Sequence, residues 1–330
     1  MARDGSLTCV ELYAGCGGMA LGLKQAGFEH VALVDFDEAC IRTLRRNGFP
    51  DAQHSRVEDA DLSPHAGVSL LAGGPPCQPF SLGGVDGGQG DRRNGWEAAL
   101  RAVERCRPRA VMFENVAGLL RPKFAAYLTS VLSRLEGMGY HVVVEKVDAA
   151  HYGVPQTRRR VFVVGFREKA ALAAYSPPER RGEGVVTVRE ALASLGPPNG
   201  ENGHAARGSA RAYEGHTGSD PDGVAKTVTS GVNGPGGGAN TLRLEGGAVR
   251  YFTIREAARI QTFPDSFSFD GLSWTASFRQ IGNAVPVLLA RAFGIAVADA
   301  LRATTVRPPP PPCPPPVPQR TKRRSSSRRG

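Results

Sequence analysis

The stretch Leu7-Thr8-Cys9-Val10-Glu11-Leu12-Tyr13-Ala14-Gly15-Cys16-Gly17-Gly18-Met19-Ala20 decides how the rest of the chain is read. An apolar run ends in a cluster of glycines and a helical segment follows to Gly27, so the order is strand, glycine loop, helix N-terminus. That order makes an anion and cofactor cradle, because the first amides of a helix have no partner inside it. The spacing Gly15-x-Gly17-x-x-Ala20 fits the relaxed dinucleotide fingerprint. A second strand, Val31 to Val34, delivers Asp35 about twenty residues on, where a carboxylate accepts from ribose hydroxyls. The fold class this implies is α/β, with a doubly wound sheet. The cradle alone serves a nicotinamide enzyme and an S-adenosylmethionine enzyme equally well. Asp37 to Arg46 reads as a helix, and Glu58-Asp59-Ala60-Asp61-Leu62 ends a short third segment, where a carboxylate can meet an adenine amino group.

Working outward, Val68 to Ala72 reads as a buried strand broken by Gly73-Gly74-Pro75-Pro76, which leaves a single cysteine, Cys77, at the turn. A cysteine kept for packing belongs inside the apolar run, since a free thiol behaves as a small hydrophobe. Two glycines let another molecule approach the backbone, and two prolines fix φ on the way to the thiol. Cys77 therefore reads as a nucleophile rather than a turn residue. Leu82 to Gly95 is rich in glycine and reads as a loop that closes over substrate, with Arg92 and Arg93 available to phosphates. After a helix from Trp96 to Arg105, the strand Arg109 to Val116 ends in Glu114-Asn115. An acid there is costly to leave ionised without a partner. The next strand end after that of Cys77 places Glu114 on the same ligand-binding edge.

A helix over Phe124 to Met138 leads to Tyr140 to Val147 and then to Tyr152 to Gly165. As a strand, the latter puts Gln156, Arg158 and Arg160 on one face by its period of two, while Val161 to Val164 enter the core. Two guanidiniums side by side repel unless something anionic or carbonyl-rich lies between them. From Glu168 to Arg250 glycine and proline dominate, which reads as a separate loop-built lobe. Order returns at Phe252, with Thr253 as N-cap and Glu256 completing a capping box, and a long apolar helix opens at Gln280.

At 330 residues and 41% hydrophobic content the chain carries an ordinary globular core. No run is read as membrane-spanning, the N-terminus has no apolar signal region, and the six cysteines lack metal-type pairing. No metal is expected, and a reducing cytoplasm is the default compartment. The formal charge of +10 points to nucleic acid at first sight. Eight basic and no acidic residues lie past Asp299, however, which leaves 33 basic against 31 acidic residues in the body. A DNA surface on the body must therefore come from local clustering. The tail, with Pro308 to Pro312, Pro314 to Pro316 and a final basic run, is expected to be disordered and to add salt-sensitive phosphate affinity.

Taken together, these stretches resemble the DNA (cytosine-5) methyltransferase family. The motifs run in the family's order over Glu11 to Gly165 and Thr253 to Gly294: Ala-Gly-x-Gly-Gly, Pro-Pro-Cys-Gln-Pro-Phe-Ser, Glu-Asn-Val, Gln-x-Arg-x-Arg, Arg-Glu-x-Ala-Arg-x-Gln-x-Phe-Pro and Gly-Asn-x-Val. The resemblance implies a Rossmann-like methyltransferase fold with S-adenosylmethionine as methyl donor. It divides the chain into a catalytic and cofactor domain (1–167), a small loop-rich target-recognition domain (168–250), a returning segment (251–303) and the tail (304–330). It implies Cys77 as the nucleophile, with Glu114, Arg158 and Arg160 on the flipped base. Tyr13, Ala14, Gly15, Gly17, Gly18, Asp35, Phe36, Asp59, Pro76, Asn283 and Val285 would line the cofactor. Ser81, Arg92, Arg93 and Gln156 would meet DNA, with Thr227 and Val228 as base readers in the lobe.

Double-stranded DNA is the implied partner, with no membrane. The implied role is that of a prokaryotic restriction-modification or orphan methylase; a companion restriction endonuclease would be linked genetically rather than physically, the protein a monomer, and its place the cytoplasm beside the nucleoid. Asp35 stands where the family often has glutamate, and Tyr13 where phenylalanine is commoner. A nicotinamide oxidoreductase explains the glycine loop but not the cysteine, glutamate and paired arginines. A silent DNA-binding module requires an unreactive Cys77. An RNA-directed enzyme of the same fold is the nearer rival, and the length between Gly165 and Phe252 favours a DNA-reading lobe.

Overall fold

In the computed structural model, residues 6–76, 95–182, 184–208, 210, 217–231 and 238–305 are described. The central sheet has seven strands: β1 (Leu7–Leu12), β2 (Phe28–Asp35), β3 (Ala52–His54), β4 (Leu70–Gly73), β5 (Ala110–Val116), β6 (His141–Asp148) and β7 (Arg159–Phe166). Their order across the sheet is β3-β2-β1-β4-β5-β7-β6. The first five strands in this order pair in parallel, and β7 enters antiparallel between β5 and β6. The doubly wound reading therefore holds. Its reversed strand matters for the site. Because β7 runs backwards, its first residues lie at the edge where β1, β2, β4 and β5 end.

The alternation of each strand divides the core into two layers. Cys9, Leu70, Ala72, Met112, Phe162 and Val164 face one side, with α1 (Gly18–Gln25), α5 (Lys169–Ala174) and α9 (Val287–Thr305). Val10, Leu12, Leu71, Val111, Phe113 and Val163 face the other, with α3 (Trp96–Cys106) and α4 (Ala125–Gly137). Helix α2 (Glu38–Arg46) begins as expected at Asp37, whose carboxylate accepts from the Ala39 amide. Between β1 and β2, Glu11 and His30 form a buried pair at 3.0 Å. Burial pushes the Glu11 carboxyl up, and its hydrogen bond to His30 pulls it partly back.

The apolar segment expected as one helix from Gln280 is two. Helix α8 (Trp274–Asn283) ends before Ala284, and α9 starts at Val287. Pro286 explains the break: proline cannot donate within a helix and disfavours helical backbone at the residue before it. Residues Trp274–Thr304 do carry a window of membrane-spanning length and composition, with mean hydropathy 1.8, contrary to the sequence reading. That window is 67% buried inside the protein, as core helices are.

Within 168–250, α5 packs on the sheet, and Ala171 and Tyr175 join its core. Helix α6 (Val188–Leu192) and the hairpin β8 (Thr241–Arg243) and β9 (Val249–Tyr251) follow. A third cluster joins Val188, Ala225, Val228 and Leu242 to Phe252, Phe263 and Phe278, so the packing crosses residue 250. Thr253 and Glu256 form the expected capping box at the start of α7 (Ile254–Ile260).

Candidate active site

Strands β1, β2, β4 and β5 end, and β7 begins, at the same edge of the sheet. After β1 the chain turns through Tyr13 (φ 55°), Gly15 (φ 56°) and Gly17 (φ 100°), all in the left-handed region. A Cβ built on Gly15 would meet nothing within 4 Å, so the loop leaves open space beside its backbone. Gly18 is glycine for a different reason: a Cβ there would lie 2.3 Å from the Val285 carbonyl oxygen. The loop thus rests on the turn between α8 and α9, and this brings Ala284 and Val285 against Gly18. Asn283 is exposed and Val285 buried.

Asp35 behaves differently from its sequence reading. Its carboxylate accepts from the Gly15 amide and the Asp37 amide, each at 2.8 Å, and the residue is buried. Burial raises its pKa, partly offset by those two amides. In this conformation Asp35 holds the glycine loop rather than presenting both oxygens outward. The next residue, Phe36, is 65% exposed. An apolar ring left in water beside an open glycine cradle fits a flat aromatic ligand group, which would recover the burial. Asp59 is exposed, and Ala14 is buried beneath the loop. The residues present therefore fit an adenosyl cofactor.

Across the end of β5 and the start of β7, Glu114 is set against Arg160. Glu114 pairs with Phe162 and Val116 with Arg160, so Glu114 and Arg160 are diagonal neighbours on one face. Their side chains meet at 2.8 Å and are 11% and 12% exposed. This supplies the partner that an acid at the end of an apolar strand requires. Gly74 lies on the way to Cys77, and a Cβ there would sit 3.5 Å from Glu114 Oε2. Asn115 Nδ2 donates to the Pro75 carbonyl at 3.1 Å, tying the stem of Cys77 to the strand that carries Glu114.

Cys77, Ser81, Arg92 and Arg93, with the glycine-rich loop they belong to, lie outside the described residues, as do 306–330 of the tail. The described thiols offer no competing nucleophile. Cys9, Cys16, Cys40 and Cys106 are all buried. Burial pushes Cys16 up to about 12 and Cys106 to about 11, and raises Cys9 and Cys40 as well.

Gln156 and Arg158 do not join Arg160. Strand β7 starts only at Arg159, and the two preceding side chains are buried in a seam beneath the lobe. Arg158 Nη1 donates to the Val228 carbonyl at 3.0 Å, and Nη2 to the Gly282 and Ala284 carbonyls at 2.9 Å each. Burial, and then the charge of Arg160, push its pKa down. The carbonyl-rich surroundings anticipated for paired arginines exist, but they belong to this chain. Gln156 Nε2 donates to Gln261 Oε1 and to the Ile260 carbonyl, while its Oε1 accepts from the Val228 amide. Thr227 donates to the Thr157 carbonyl at 2.5 Å, and Val228 is fully buried. The two residues expected to read bases are engaged in this seam.

Sequence reasoning passed over several residues. Asn115 was visible in the Glu-Asn-Val motif but carried no assigned role. Gln261 is buried and donates to the Ile281 and Ala284 carbonyls. Asn240, at the end of a glycine run, is fully buried and holds the Thr229 and Gly231 carbonyls. A lone amide in a glycine run gave no signal of that.

The strand order, the glycine cradle and the acid facing an arginine across β5 and β7 define the class, a Rossmann-like methyltransferase. The chain belongs to the C-5 cytosine-specific DNA methylase family, whose sequence model matches residues 7–191 and 180–298. It is 36% identical over 314 residues to the Type II methyltransferase M.NgoMIV of Neisseria gonorrhoeae, covering 89% of this chain and 98% of that protein. It is 35% identical over 315 residues to the Type II methyltransferase M.AplI of Arthrospira platensis, covering 92% and 88%. Among solved structures, the S. pombe Dnmt2 methyltransferase shares the fold with a TM-score of 0.67 at 20% identity, covering 91% of this chain and 99% of that one. The Entamoeba histolytica methyltransferase EhMeth does so at 0.69 and 15%, covering 90% and 99%. The activity is that of a DNA cytosine-5 methyltransferase, with S-adenosylmethionine as methyl donor.

Proposed function

We propose that the enzyme methylates a flipped-out cytosine in a specific duplex site through a covalent adduct on Cys77. Carbon 5 of cytosine is too weak a nucleophile on its own, so the Cys77 thiolate adds to carbon 6 and makes the ring enamine-like. Glu114 accepts from the exocyclic amine and, carrying a proton in the complex, donates it to ring nitrogen 3, while Arg160 holds the carbonyl oxygen as charge builds on the ring. The bound cofactor supplies the methyl group to carbon 5. Loss of the carbon 5 proton and expulsion of the thiolate then restore the aromatic ring and free the enzyme. The base is unreachable inside a duplex, which is why it must be flipped out.

The observation that carries this reading is the 2.8 Å Glu114–Arg160 pair beside the stem of Cys77. Tyr13, Gly15, Gly17, Phe36, Asp59, Pro76 and Asn283 line the cofactor, and Asp35 supports its loop. Arg158 and Gln156 act behind the site, as the clasp that seats the lobe. Residues 168–250 form the target-recognition region, and Ser81, Arg92 and Arg93 meet the DNA. The named relatives are Type II methyltransferases, so a restriction-modification role in the cytoplasm, as a monomer, accompanies the reading.

The test uses tritiated S-adenosylmethionine, mixed-sequence duplex DNA and covalent trapping on DNA containing 5-fluorocytosine. Wild type should label cytosine and trap, and Cys77→Ser should do neither. Cofactor binding without label or trapping on duplex DNA would overturn the reading and make RNA the next substrate.

A further inference from the structure

The two ends of the segment that carries Cys77 meet at one point. The Gly95 amide donates to the Pro76 carbonyl at 3.2 Å, so the chain leaves at Pro76 and returns at Gly95 through a closed neck. A third group fastens that neck. The Tyr13 hydroxyl donates to the Gly95 carbonyl at 2.8 Å. The packing is tight: a Cβ on Gly95 would lie 2.4 Å from Pro76 Cδ and 3.0 Å from Tyr13 Cζ. Tyr13 itself occupies the left-handed backbone region at the end of β1, two residues before the open glycine of the cofactor loop. Asn115 holds the other side of the stem through the Pro75 carbonyl.

We propose that the Tyr13 hydroxyl is a positioning group that ties the cofactor loop to the neck from which Cys77 emerges, so that cofactor and nucleophile keep a fixed relation. The proposal rests on Cys77 being the nucleophile. Tyr13 stands where phenylalanine is commoner, and phenylalanine can fill the same space but cannot make this bond. Burial raises the Tyr13 pKa, so the hydroxyl keeps its proton and remains a donor at any working pH. Gly95 also caps the N-terminus of α3. The hydroxyl therefore acts on the residue from which α3 starts.

Methyl transfer demands that the base carbon held by the thiol face the methyl group in line, and a displacement of about 1 Å costs on the order of 100-fold in rate. Loss of one neck bond permits a smaller displacement than that. Tyr13→Phe should lower the maximal methylation rate about tenfold and slow 5-fluorocytosine trapping in parallel. The KM for S-adenosylmethionine should stay within about twofold of wild type and the thermal midpoint should hold, because the ring still fills its place.

Hydrogen exchange of the Gly95 amide supplies a readout independent of the chemistry, and it should quicken in the variant. Unchanged exchange at Gly95 would overturn the proposal, as would a raised KM for the cofactor with an unchanged maximal rate. A wild type that fails to trap, with Gly95 exchange still responding to Tyr13→Phe, would sink the assignment of Cys77 rather than the neck contact.

Discussion

Arg158 and Arg160 are two residues apart, of one type, and belong to two different regions of the molecule. Arg160 lies at the open edge of the sheet, its guanidinium 2.8 Å from the Glu114 carboxylate. Arg158 lies in a buried seam, its guanidinium spread over three carbonyls from two other segments. The contrast separates two ways of using a buried cation. At the edge, each charge offsets the other. In the seam, the charge is held by backbone dipoles and fastens Val228 to the turn that carries Asn283 and Val285. One region leaves an acid and a cation facing each other at the sheet edge; the other ties Val228 to the turn beside the glycine loop.

The sharpest test of that division is Glu114→Gln. It keeps the shape of the side chain but removes the charge that faces Arg160 and the hydrogen-bonding pattern offered to the base. The maximal rate should fall about 100-fold, in line with removing one preorganised electrostatic contact from a transition state. Cofactor affinity, measured by calorimetry, should be unchanged. A comparable loss of cofactor binding would show that the edge and the cradle are not separable.

Next in size is Arg158→Met. The buried Val228 and Gly282 carbonyls lose the Arg158 donor, while that of Ala284 keeps Gln261, so stability should drop by about 3 kcal/mol in urea unfolding. If the variant instead keeps its stability and loses only turnover, Arg158 acts on the base and the comparison breaks.

Gly282→Ala probes the same seam more gently. The added Cβ would lie 2.2 Å from the Thr229 carbonyl carbon, a backbone atom that must shift. Overpacking of this kind should cost about 2 kcal/mol and weaken duplex binding more than cofactor binding. Equal effects on both would mean that the seam serves the cofactor turn alone.

Much of this was legible in the sequence. Strand, glycine loop and helix fixed the cradle because φ above zero and close backbone approach leave few residues other than glycine. The apolar run ending in Glu114 showed a buried acid in need of a partner, and Arg160 is that partner. Thr253 and Glu256 announced a helix start through local hydrogen bonds alone. These features depend on neighbours a few residues away, which a linear reading can see. The break at Pro286 was also written in the sequence, yet the apolar periodicity on both sides concealed it.

Tertiary structure alone decided the rest. A period of two told which residues share a face, but not where strand β7 begins or what another segment lays against that face. Gln156, Arg158 and Arg160 looked equivalent until Val228 and Gly282 covered two of them and Glu114 met the third. In the same way, Asp35 carries a carboxylate suited to a ribose, and it is the approach of the Gly15 amide that turns it to the loop. By itself the sequence determined the order of motifs, the doubly wound sheet and the family, because local geometry and apolar patterning are properties of the chain. The partner of each buried charge was settled only by folding, because a charge out of water must be compensated by whichever dipoles the packing brings within reach.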